Sequence, residues 1–137
     1  MPHDPVRVAD TRAWLERAAS DLRAAEHATT AHPPLLDAVV FHCQQAAEKA
    51  LKAFLVWHDE PFRKTHNLEE LGETCLGLDR SLEPTVNRAV PLTEYAWRFR
   101  YPGEPGQPTL HEAQEALAIG RELLTVIRSR LPAEAAP

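Results

Sequence analysis

Between Leu35 and His58 the chain places apolar residues on most of a helical surface and leaves one narrow polar seam. Leu36, Val40, Cys43, Ala47, Ala50, Phe54 and Trp57 recur at intervals of three and four, which predicts one helix with a core-facing stripe. His42, Gln45, Lys49 and Lys52 recur at the same intervals along a second face. A helix this apolar must be enclosed by others. Its seam is then either a solvated face, the ordinary place for Lys and Gln, or a site or interface.

The same periodicity predicts the remaining elements. Asp10 or Thr11 caps a first helix whose stripe is Trp14, Ala18, Leu22 and Ala25, with Arg12, Arg17, Asp21 and Arg23 outside it. That helix ends near Thr30, before His32-Pro33-Pro34 breaks the chain. The short connection predicts an antiparallel hairpin with the second helix. Asp59-Glu60-Pro61 closes helix two, and Asn67 caps a short helix carrying Leu68, Leu71 and Cys75 that stops at Gly77. Leu82, Val86 and Val90 indicate irregular helix between Arg80 and Ala96, limited by Pro84 and Pro91. Residues 102–108, rich in Pro and Gly, read as an exposed loop. Thr109 and Glu112 fit a capping box for a last helix with Ala113, Leu117, Gly120, Leu124, Ile127 and Leu131 on its stripe, Gly120 permitting close approach of a neighbour. The expected fold is all-α, an antiparallel bundle of four to five helices. One domain over residues 11–131 is expected, with a flexible N-terminus at 1–10 and a flexible tail at 132–137.

Composition narrows the function classes. A net charge of −5 argues against broad electrostatic attraction to nucleic acid but permits a local basic patch. Cys43 and Cys75 fall on apolar helical faces, which predicts reduced, buried thiols. With no secretory pattern and no run long enough to cross a bilayer, a cytoplasmic protein without membrane attachment is expected. Phosphate-cradling glycine loops, nucleophile elbows, and Cys-x-x-Cys and His-Glu-x-x-His patterns do not occur. The seven histidines are dispersed, and no pair shares a helix face at ligand spacing, so neither a metal nor a cofactor is expected.

Two further segments add cations and rings to the seam: Arg63-Lys64-Thr65-His66-Asn67-Leu68 and Trp97-Arg98-Phe99-Arg100-Tyr101-Pro102. Convergence of these three segments would gather His42, Gln45, Lys49, Lys52, His66, Arg98, Arg100 and Tyr101 into one candidate ligand-binding set, in which Arg98 and Arg100 could hold a phosphate. Each has an ordinary reading beside the functional one. His42 reads as a satisfied interior histidine, His66 as a structural cover over the basic loop, and Arg98 and Arg100 as cations stacked on neighbouring aromatics.

The run from His42 to Ala53, then Thr65-His66-Asn67-Leu68, then Arg100-Tyr101-Pro102, in that order, resembles the HEPN domain family, the higher eukaryote and prokaryote nucleotide-binding domain. The resemblance extends from about Thr11 to Leu131. It implies a helical bundle that forms a homodimer, a nucleotide or RNA ligand, and a minimal nucleotidyltransferase partner in a toxin–antitoxin pair. By the same analogy Tyr101 is a target of nucleotidyl transfer.

Many members of that family are metal-independent ribonucleases with an arginine and a histidine separated by four to six residues. No arginine here is followed by histidine at that separation, and Arg100 to His111 is too long. Proton transfer and charge stabilisation would need groups brought together only by the fold. No catalytic residue is therefore assigned. The leading expectation is a non-catalytic dimeric module. A divergent ribonuclease toxin and a structural dimer without a ligand are the alternatives.

Overall fold

The computed structural model describes residues 3–103 and 106–137, and within them every regular element is helical. Met1 and Pro2 of the expected lead-in, and Glu104 and Pro105 of the expected loop, lie outside the described residues. The elements are α1 (Pro5–Thr29), α2 (Leu36–Trp57), α3 (Leu68–Leu78), α4 (Glu83–Ala89) and α5 (Leu110–Ser129). Short 3-10 segments at Arg80–Leu82 and Val90–Ala96 flank α4.

The first helix starts earlier than its apolar periodicity indicates. Asp4 accepts a hydrogen bond from the Val6 amide at 2.9 Å, and Pro5 occupies the first helical position, where its missing N–H leaves no bond unmade. Residues 5–10, expected to be loose, are thus helical. Thr11, expected as a cap, is buried within α1 and donates its hydroxyl to the Arg7 carbonyl. The tail is likewise folded back: the amides of Ala135 and Ala136 both donate to the Pro132 carbonyl, and Ala135 is fully buried.

Helix α2 is the enclosed one. Helices α1 and α5 flank it, and α3 and the Val90–Ala96 segment cover the rest. Val40, Cys43, Ala47, Ala50 and Phe54 of its stripe are buried, while Leu36 and Trp57 at its ends are half-buried. Gly120 lets α5 come close: an added Cβ would stand 3.7 Å from the Cys43 carbonyl oxygen and 3.0 Å from Leu22 Cδ2. Asn67 Oδ1 accepts from the amides of Glu69 and Glu70, and Thr109 and Glu112 form the reciprocal capping box. Helix α3 runs one residue past Gly77. Pro84 and Pro91 each sit in the first turn of a short element, where a missing N–H breaks no helical bond, and Pro91 stops α4 from continuing much beyond Ala89.

Both cysteines are free and buried, and desolvation pushes each thiol up from 9.0 to about 12. A raised folded pKa leaves stability intact below pH 9 and removes it as pH rises towards 12, because only the unfolded thiols ionise in that window. Urea melts above pH 9 should therefore show a loss of about 1.4 kcal/mol per pH unit for each thiol. Cys75→Ala should make that slope shallower. Neither thiol should react with a disulfide reagent until the protein unfolds.

Candidate functional site

The polar seam of α2 divides between two carboxylates. On the α1 side, Asp21 Oδ1 accepts from His42 Nδ1 at 2.8 Å and Oδ2 accepts from Lys49 Nζ at 2.5 Å. Helix α1 delivers Asp21 from the position its periodicity placed outside the stripe, and α2 supplies both donors from residues seven apart. An ionised carboxylate only accepts, so Nδ1 of His42 carries the proton and Nε2 is the other ring position for a neighbour. The Asp21 side chain is 12% exposed.

The second centre is Glu48, whose side chain is 5% exposed. Its Oε1 accepts from His66 Nδ1 at 2.6 Å and from Gln44 Nε2 at 3.2 Å, and its Oε2 accepts from Lys52 Nζ at 3.0 Å. Gln44 also donates to the His66 carbonyl, and Gln45 donates to Gln44 Oε1 at 2.6 Å. The loop before α3 is thereby tied to α2 through both the ring and the backbone of His66. Lys52 is enclosed rather than open to solvent: its ammonium lies 5.5 Å from the Trp14 ring centroid and 5.6 Å from that of Phe62. Among the described residues no buried side-chain nitrogen or oxygen lacks a partner.

The Trp97–Pro102 segment reaches α2 at one point. The Arg100 guanidinium lies over the Phe41 ring at 3.8 Å, and Phe41 meets the His42 ring edge-on at 5.3 Å. Arg98 turns elsewhere, to Glu94 at 2.9 Å and over Phe99. Tyr101 is 62% exposed. The fold therefore joins Arg100, His42 and Lys49 through Phe41 and Asp21, joins Lys52, His66 and Gln45 through Glu48 and Gln44, and leaves Arg98 apart.

A family model for the HEPN domain matches residues 11–130 of the 137-residue chain. The chain belongs to the HEPN domain family. HEPN membership agrees with the all-helical architecture and describes, in general terms, a nucleotide- or RNA-associated module. Comparison with curated proteins and with solved structures finds no match. No helix among the described residues of this HEPN protein is long and apolar enough to cross a membrane. Asp21, Glu48 and Gln44, which hold the polar groups of its central helix, went unassigned in the sequence reading. The signal for Glu48 was local: it lies four residues from both Gln44 and Lys52.

Proposed function

We propose that this HEPN protein is a dimeric, non-catalytic, nucleotide- or RNA-associated module that acts with a minimal nucleotidyltransferase in a toxin–antitoxin-type system. The observation that carries the reading is the Arg100-Tyr101-Pro102 segment, where an arginine stacked on Phe41 beside His42 precedes an exposed phenol. A phenol in that position is accessible to a partner enzyme, and the adjacent guanidinium is suited to a phosphate. Nucleotidyl transfer to Tyr101 would join its oxygen to the α-phosphorus of a nucleoside triphosphate and release pyrophosphate.

Co-expression with the product of the neighbouring reading frame tests this. The expected result is a complex containing two copies of this chain, with an intact mass raised by one nucleotidyl group, a nucleoside monophosphate less one water, per modified chain. Tyr101→Phe should abolish the mass increase. A monomer that co-purifies with nothing and keeps its unmodified mass would refute the reading.

One observation favours the divergent ribonuclease alternative: Asp21 orients the His42 ring as a carboxylate orients a general base. The missing arginine–histidine spacing counts against it. RNA left intact by the purified chain, and normal growth on its expression alone, would remove it.

A further inference from the structure

Beside the Lys49–Asp21 pair, α1 and α2 frame an open groove of about 480 Å³ lined by Asp10, Ala13, Trp14, Arg17, Lys49 and Val56. Its volume lies in the range of small-molecule sites. The α1 residues are spaced three, one and three apart and share one helix face, and Lys49 and Val56 are seven apart on α2. None of Arg98, Arg100 and Tyr101 lines it.

Three features define what the groove would take. Its floor is apolar and aromatic, from Ala13, Val56 and the half-buried Trp14. Asp10 and Arg17 are unpaired: among the described residues neither side chain has a hydrogen bond or ion pair, although nearby Asp21, Lys49 and Lys52 are all engaged. These opposite charges stand seven residues apart, about 10 Å along the helix axis at 1.5 Å per residue. Lys49 stands at the groove wall with its ammonium on Asp21, so an incoming anion shares that cation with the carboxylate.

A carboxylate accepts hydrogen bonds and cannot donate them, so Asp10 favours a group carrying N–H donors. A guanidinium beside an ammonium favours an oxyanion at the other end, and the Arg17 fork matches phosphate in two bonds. The indole between them favours a flat ring. An acidic peptide would meet Asp10, and an aliphatic zwitterion would leave the indole unused.

We infer that this groove binds a small planar heteroaromatic anion of the nucleoside monophosphate class, with the ring on Trp14, its N–H edge at Asp10 and the phosphate at Arg17 and Lys49. The inference rests on the nucleotide-association reading and gives it a location apart from the Arg100–Tyr101 segment.

Calorimetric titration of the full chain with GMP, ribose 5-phosphate and guanosine tests it. GMP should bind most tightly, with each fragment about tenfold weaker or more. Arg17→Ala should weaken GMP and ribose 5-phosphate alike, by about tenfold. Asp10→Asn should weaken GMP while leaving ribose 5-phosphate unchanged. Both residues are exposed, and thermal melts of each variant verify the fold. Arg12→Ala, which removes an exposed α1 cation that does not line the groove, should bind GMP as the wild type does. GMP binding that survives Arg17→Ala but is lost in Arg100→Ala would overturn the groove and leave the nucleotide reading standing. No binding of GMP to any form would overturn the inference too, while the partner and Tyr101 readings are decided independently by co-expression.

Discussion

Glu48→Ala is expected to destabilise the protein by about 3–5 kcal/mol, the usual cost of stripping one partner from a buried ion pair. Lys52 is the reason. Its side chain is 8% exposed, its ammonium is packed between Trp14 and Phe62, and among the described residues its carboxylate partner is Glu48. Without that carboxylate the ammonium is left unpaired in the aromatic pocket or drags water into it, and each route costs folding free energy. Gln44 loses one acceptor and the loop before α3 loses the His66 ring contact. Urea unfolding followed by circular dichroism measures the loss.

A double variant separates the buried charge from the packing. Glu48→Leu with Lys52→Met removes both ions and keeps comparable volume, and such replacements are neutral or stabilising in many cores. The pair should recover most of what Glu48→Ala loses, while Glu48→Leu alone should not. A Glu48→Ala protein within about 0.5 kcal/mol of wild type, the range of ordinary surface substitutions, would show that Lys52 reaches solvent and that the network carries little.

How much of this was legible in the chain depends on the range of each interaction. The stripe of α2, the Asn67 cap and the Thr109–Glu112 box rest on neighbours within a few residues, and the structure reproduces all three. The Asp4-Pro5 start of α1 was equally local, but the first apolar period begins later and drew the expected boundary to Asp10 or Thr11. The seam was legible as a set of polar groups on an enclosed helix. Its partners were not, because Asp21 is 21 residues from His42 and 28 from Lys49, and His66 is 18 from Glu48. Only the hairpin crossing and the path of the loop decide which donor meets which carboxylate. Trp14, Arg17 and Asp10 show the same limit from the other side: their shared face is plain in the sequence, but the α2 wall that turns it into a groove is tertiary.

Asp21→Asn is expected to move stability and anion binding in opposite directions. The carboxylate accepts charge-assisted bonds from His42 and Lys49, so neutralising it should cost about 1.5–3 kcal/mol, less than Glu48→Ala because Lys49 is partly reached by water. Asp37→Asn, in the exposed first turn of α2, should change stability by only a few tenths of a kcal/mol and serves as the control. Asp21 also competes with any incoming oxyanion for the Lys49 ammonium. Removing its charge frees that cation for a phosphate in the groove, so GMP should bind Asp21→Asn more tightly than wild type, with the gain diminishing as salt screens the exposed part of the site. A less stable protein with a stronger salt-sensitive affinity would mean that this carboxylate is retained for the α1–α2 junction at the expense of ligand binding. Unchanged stability would instead remove Asp21 from the fold's support, and weakened GMP binding would mean that Lys49 acts only when Asp21 holds it in place.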